Sequence, residues 1–110
     1  VHLVINASEV GPTLRLTLAG GIGLATADRL RDAVAAALAS SAPKQIALDF
    51  ARVSFIDSAG ISTLVACHRS AAVAGTVLRL ENVSPVMRRR LWATGLPFGA
   101  SAAPPGQPQP

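Results

Sequence analysis

The sequence is short of cysteine, aromatic residues and charge. Cys67 is its one cysteine, so no intrachain disulfide can close and no cysteine-built zinc cluster can form. Tyrosine is absent, and aromatic residues make up 4% of the chain. A surface that binds nucleic acid usually shows a broad basic stripe with interleaved aromatics. Here the only basic run is Arg88-Arg89-Arg90, with Trp92 the one aromatic beside it. The net charge of +4 therefore reads as a helix with a solvated basic face, and no direct nucleic-acid partner is expected. Uncharged runs such as Leu16 to Ala27 fall well short of the ~20 apolar residues of a spanning helix. The start lacks the basic-then-apolar pattern of a secretory signal. Membrane insertion and secretion are both disfavoured, and a cytoplasmic location is the expectation.

What is present fits one packed domain. The 110 residues amount to 11.2 kDa, and 50% of them are hydrophobic. Residues 2–6 read as a short strand around Leu3, Val4 and Ile5, and Glu9, Gly11 and Pro12 punctuate a turn. In Thr13 to Leu18 the leucines 14, 16 and 18 alternate with Thr13, Arg15 and Thr17, which marks a strand with one buried face. The short link suggests an antiparallel pair. Gly20, Gly21 and Gly23 read as a flexible loop. They make no dinucleotide fingerprint, because Thr26 stands where the third glycine belongs, and no phosphate-binding lysine follows.

Thr26 to Ser40 predicts a helix, with Leu30, Val34, Ala37 and Leu38 on one stripe and Thr26 placed to cap its start. Gln45 to Phe50 reads as a strand covered on both faces, reached by a parallel crossover. The apolar segment Val53 to Ile56 leads into Asp57-Ser58-Ala59-Gly60 and a helix from about Ala59 to Ala72. Thr76 to Leu80 is the next strand. Ser84-Pro85 opens a third helix, and Gly95 is placed to end it near Thr94. Four of the eight prolines lie between Pro104 and Pro110, so residues 98–110 read as an extended, poorly ordered tail after a domain spanning 1–97.

The residues that could carry chemistry cluster at Asp57-Ser58. One reading makes either residue a helix cap. The other makes Ser58 a regulated hydroxyl, since a helix N-terminus offers unpaired amides and the positive end of a dipole. Phosphorylation there adds about −1.5 to −2 charges beside Asp57. A nucleophile elbow is absent because Ile56 occupies the place of its first glycine. His68 lies about three turns further along the same helix, out of reach of Ser58. Neighbours Cys67 and His68 project about 100° apart and make a poor metal site. Cys67 reads as a small buried residue and His68 as a helix residue at the core edge. No catalytic residue, metal or cofactor is expected, and the chain does not read as an enzyme.

Val53-Ser54-Phe55-Ile56-Asp57-Ser58-Ala59-Gly60-Ile61 resembles the signature of the STAS domain, and the bacterial anti-sigma factor antagonists in particular. The strand ending at Leu18-Ala19-Gly20, the helix holding Thr26, Ala27 and Leu30, and the strand Ile46 to Phe50 agree in order. So do Asn82 to Leu91 and Thr94-Gly95-Leu96. The resemblance covers roughly residues 2 to 97. It implies an α/β fold: a STAS-like mixed β-sheet of about four to five strands, with three or more helices packed largely on one side.

It also implies a non-catalytic switch. In such proteins the serine after the aspartate is phosphorylated by a partner that is both anti-sigma factor and serine kinase, of the histidine-kinase-like ATPase type. That serine is Ser58 here. Unphosphorylated antagonist binds the partner and frees the sigma factor for transcription, and phosphorylation ends the binding. Turning such a switch from mostly on to mostly off takes ~5.5 kcal/mol of differential binding. The expected partner surface is Asp57, Ser58, Ala59, Gly60 and Ser62, flanked by Gly20, Gly21 and Gly23, on a monomer or weak dimer.

Three departures stand out. Gly21 and Gly23 occupy places where such antagonists commonly carry Glu and Asp that help contact the kinase. Ala59 replaces a second hydroxyl, leaving Ser58 as the only acceptor in the motif. The C-terminal strand and last helix are replaced by Pro97 to Pro110. The glycine-rich loop keeps an alternative open: a STAS accessory subunit that binds the ATPase of a lipid or other ABC transporter. A nucleotide-binding module ranks lowest, since no phosphate loop is present.

Overall fold

The computed structural model describes residues 2–40 and 43–97. The tail expected at 98–110 lies outside the described residues. The elements run β1 (Leu3–Val10), β2 (Thr13–Ile22), α1 (Ala27–Ser40), β3 (Gln45–Ile56), α2 (Ser58–Val73), β4 (Val77–Glu81) and α3 (Pro85–Leu91). A 3-10 turn, Trp92–Thr94, follows α3 and ends at Gly95 in the left-handed conformation, as its position predicts. The strands form one four-stranded sheet in the order β1-β2-β3-β4. β1 pairs antiparallel with β2, and β2–β3 and β3–β4 are parallel. The mixed sheet expected from the sequence is thus observed, with four strands among the described residues.

Side-chain alternation sorts the sheet into two faces. Leu14, Ile46 and Leu78 form one row, and Leu16, Leu48 and Leu80 the next. All six are buried beneath Leu30 and Val34 of α1 and Leu64, Cys67 and Ala71 of α2. Each such aliphatic side chain removed from water contributes about 1.5–3 kcal/mol. The opposite face is polar. There Arg15 Nη2 reaches Glu81 Oε1 at 2.7 Å, and Arg15 Nη1 lies 3.4 Å from Asp49 Oδ2. Arg79 adds a third ion pair to Glu81 at 3.3 Å. Ala47 lies between Arg15 and Arg79 in the same row and is fully buried, so a small residue there lets Arg15 cross β3 to Glu81.

Several sequence-based boundaries move. β1 runs on to Val10 because Asn6, Ala7 and Ser8, weak strand formers alone, pair along the whole of β2 across a turn at Gly11 and Pro12. The Gly20–Gly23 loop is corrected: Gly20, Gly21 and Ile22 belong to β2, and only Gly23 begins the connection. Gly20, at φ +116°, passes so close to the His2 carbonyl that a Cβ there would lie 2.0 Å from its oxygen. β3 absorbs the apolar segment 53–56. Two register shifts against β2, between Thr17 and Ala19 and between Gly20 and Gly21, bend its second half. Pairing with β4 stops at Asp49–Glu81, so Val53–Ile56 departs from β4 and approaches α3.

Thr26 is also corrected. Its hydroxyl points back into the connection, donating to the Gly21 carbonyl at 2.6 Å and accepting from the Gly23 amide at 3.0 Å. Both bonds are buried, so the residue ties the end of β2 to the start of α1 in place of capping the helix. Replacing Thr26 with Val keeps the shape and strands both backbone groups. The expected loss is about 2–4 kcal/mol of unfolding free energy by urea titration, with Thr26→Ser close to wild type.

Candidate functional site

The site forms where β2 and β3 end and α1 and α2 begin. Asp57 is the N-cap of α2, with extended backbone at φ −109° and ψ −175°. Its Oδ1 accepts from the Gly60 amide at 2.9 Å, closing the first turn. Its Oδ2 accepts from the Leu24 amide at 3.1 Å, reaching across to the β2–α1 connection. The Asp57 amide in turn donates to the Ile22 carbonyl at 3.2 Å. One residue therefore joins the two chain turns that border the site.

That carboxyl is held below the ordinary value of 3.8. The Gly60 amide is the main cause, partial desolvation opposes it, and the Leu24 and Ala59 amides and the Arg90 guanidinium add to the lowering. Arg90 comes from α3, which lies along Val53–Ile56 with a cleft of about 290 Å³ between them, lined in part by Phe55, Val86 and Met87.

Two glycines make this packing possible. A Cβ on Gly60 would stand 2.2 Å from the Ile22 carbonyl oxygen, so no side chain fits where α2 meets the end of β2. A Cβ on Gly23 would stand 2.8 Å from Asp57 Oδ2 and 2.9 Å from Phe55 Cε2. Any side chain at position 23 therefore presses on the carboxylate that Gly60 and Leu24 hold.

Ser58, the first residue of α2, is exposed, and its hydroxyl makes no hydrogen bond among the described residues. Ser62, one turn on, is exposed as well, Asp57 and Ala59 are half-buried, and Gly60 is buried. The glycines of the flanking segment are not themselves surface: Gly21 and Gly23 are buried and Gly20 is half-buried. What that segment presents instead is Leu24, 83% exposed. Phe55 and Val86 add exposed apolar area beside Ser58's segment, at 44% and 71%. Sequence reasoning missed Leu24, Phe55, Val86 and Arg90. Leu24, a hydrophobic residue outside the periodic stripes, was the one signal available; Val86 reads by spacing as part of an apolar face of α3 with Met87 and Leu91, yet it is exposed while Leu91 is buried.

Among the described residues no other chemistry assembles. Cys67 is buried in α2, and desolvation pushes its thiol up to about 11, so it is an inert core residue. His68 is half-buried at the core edge. Among the described residues no three His, Cys, Asp or Glu side chains gather to hold a metal, and no helix is long and apolar enough to cross a membrane.

The comparisons agree with this geometry. The family model described as "Mlab, STAS domain" matches residues 5–97. The chain belongs to the STAS domain family. An anti-sigma factor antagonist from Mycobacterium paratuberculosis superposes with a TM-score of 0.78 at 23% identity, covering 91% of this chain and 87% of that one. The anti-sigma factor antagonist SpoIIAA in its unphosphorylated form gives 0.71 at 23%, covering 89% of each chain. The Bacillus cell fate determinant SpoIIAA in its phosphorylated form gives 0.68 at 26%, covering 84% and 85%. Curated proteins give no match by sequence.

Two outcomes follow for the site. Gly60→Ala is expected to cost about 1–3 kcal/mol, read by urea titration, because backbone must move to admit the Cβ. Asp57→Asn tests the clamp by its pH dependence. A depressed carboxylate contributes stability that is full above its ordinary value and is lost as pH falls through the lower folded value. Wild type should therefore exceed Asp57→Asn at pH 7, with the gap closing on acidification below about pH 4 in parallel thermal melts.

Proposed function

We propose that the protein is an anti-sigma factor antagonist that binds an anti-sigma factor through the surface around Ser58, and that phosphorylation of Ser58 ends the binding. The observation that carries this reading is the placement of Ser58: an exposed, unbonded hydroxyl at the helix start that Asp57 clamps. The likeness to SpoIIAA, described in unphosphorylated and phosphorylated forms, supports it. The expected partner is a serine kinase of the histidine-kinase-like ATPase type, and the protein itself is a substrate and binding module without catalysis. Residues 1–97 form the functional domain. A phosphate at Ser58 would bring dianionic charge next to Asp57 on a surface a partner must desolvate, and uncompensated charge at an interface costs several kcal/mol.

Two observations favour a second reading. The matching family model carries the Mlab description, and the flanking segment has Gly21 and Gly23 where antagonists commonly carry acids. Both suit an accessory subunit that docks on a transporter ATPase with no phosphorylation cycle. Capture from the native host with wild type, Ser58→Ala and Ser58→Glu separates the two. On the antagonist reading, wild type and Ser58→Ala retain a small histidine-kinase-like ATPase, and Ser58→Glu binds it about a hundredfold or more weakly. Equal retention of a transporter ATPase by all three would end the sigma-factor reading and leave Ser58 a helix residue.

A further inference from the structure

β1 is an edge strand of the sheet, and its outer side pairs with no strand among the described residues. Gly21 donates to the His2 carbonyl at 3.0 Å, which fixes the phase of the β1–β2 ladder. Even-numbered residues of β1 turn their amides and carbonyls to β2. Leu3, Ile5, Ala7 and Glu9 turn theirs outward. Among the described residues no strand lies beyond them. The edge spans eight residues and has none of the usual protections: no proline, no lysine, no bulge, and one charge, Glu9.

The surroundings are self-complementary. Val4 and Val10, on the polar side of the sheet, pair with the small residues Ala19 and Thr13 of β2 and are 52% and 65% exposed. On the helix side, a groove of about 710 Å³ separates β1 from α1, lined by Ile5, Ala7, Ala33 and Ala36, with Glu9 toward one end and Arg29 beside Asp32 toward the other. Glu9 lies at the Ser40 end of α1, some 16 Å along the helix from Arg29. Neither makes an ion pair among the described residues.

We infer that β1 is a homodimer interface, pairing antiparallel with β1 of a second copy about a two-fold axis at Ala7. This inference stands apart from the antagonist reading. The register follows from the exposed side chains. With Ala7 on the axis, Val4 of each copy lies opposite Val10 of the other, and both valines gain an apolar neighbour on the polar face. Ile5 lies opposite Glu9 of the second copy, which brings that carboxylate to the Arg29 end of the groove. The outward groups of Ile5, Ala7 and Glu9 then form about six interchain hydrogen bonds. Shifting the axis to Asn6 would set Val4 against Ser8 and Glu9 against the buried Leu3, losing both matches. The two sheets become one, and α1 of each copy flanks the axis, where the alanines allow close approach.

Light scattering with size exclusion on the full chain, followed by two variants, tests this. Wild type is expected to reach twice the 11.2 kDa chain mass as concentration rises toward about 1 mM. Ala7→Pro removes an outward amide that β2 does not use, so its circular dichroism should match wild type while its mass stays that of one chain. Ala7→Cys should oxidise to a cross-linked dimer. Asn6→Cys should not, because in this register the two copies of residue 6 are offset beyond disulfide reach. The native Cys67 is buried and does not interfere. A wild type that stays monomeric, a dimer that survives Ala7→Pro, or cross-linking through Asn6→Cys would overturn the inference. Slow hydrogen exchange at Ile5 and Ala7 in a monomer would assign the edge to residues 98–110 of the same chain and overturn it too.

Discussion

Both oxygens of the Asp57 carboxylate are committed, and the functional end of the molecule depends on that. Oδ1 closes the first turn of α2 on Gly60, and Oδ2 holds the Leu24 amide of the β2–α1 connection. The other local features follow as conditions for those bonds. Gly60 is bare because the turn must pass against the Ile22 carbonyl, and Gly23 is bare because the carboxylate fills the space a side chain would take. Thr26 pins the same connection from inside, through Gly21 and Gly23. The low pKa of Asp57 is the electrostatic counterpart, since amide donors favour the ionised form.

The sheet delivers its ends to this clamp by being irregular in one place. β3 is longer than the part of it that β4 pairs, and Asp49 sits where the two strands part. Burial alone would raise its pKa, but the Ala51 amide, the Asn82 side chain and Arg15 outweigh that and hold it low. Ala51 donates to Asp49 Oδ1 at 3.0 Å and Asn82 donates to the same oxygen at 3.1 Å, so one carboxylate braces both strands at the fork. Asn82 does this from the left-handed region, at φ 57°, which asparagine tolerates better than most residues. Beyond the fork, the two register shifts swing Val53–Ile56 toward α3, which opens the cleft shared by Phe55 and Val86.

Element order and the leucine core were legible in the sequence because they rest on local periodicity, and the directions of the first three strands because they follow from their connections. The alternation of Leu14, Leu16 and Leu18 and the Ser84-Pro85 start both have short-range causes, and both appear as read. The Asp57-Ser58 helix start was legible too, from the resemblance and from capping chemistry. What could not be read is set by partners distant in sequence. Glycine at 20 and 21 signals a turn locally, yet here it lets one strand pass close to the residue-2 backbone. Thr26 has the chemistry of a cap, and only the folded position of Gly21 and Gly23 turns its hydroxyl backward. The conflict between position 23 and Asp57 spans 34 residues and has no local trace. Nor has the meeting of Phe55 with Val86 and Arg90.

The clamp also decides how a modification at Ser58 must act. A phosphate at a helix start ordinarily competes for the free amides of the first turn. Here Asp57 already holds the Gly60 amide, and its second oxygen holds Leu24, so a phosphate that displaced it would forfeit a bond on each chain segment. Repulsion from Asp57 acts in the same direction. Ser58 is exposed, so the group has a free outward path into solvent. The charge would therefore change what the surface offers a partner and leave the fold beneath it alone. On the proposed reading, the protein switches binding without a conformational change of its own, and the rigidity that Asp57 imposes is what keeps the signal at the surface.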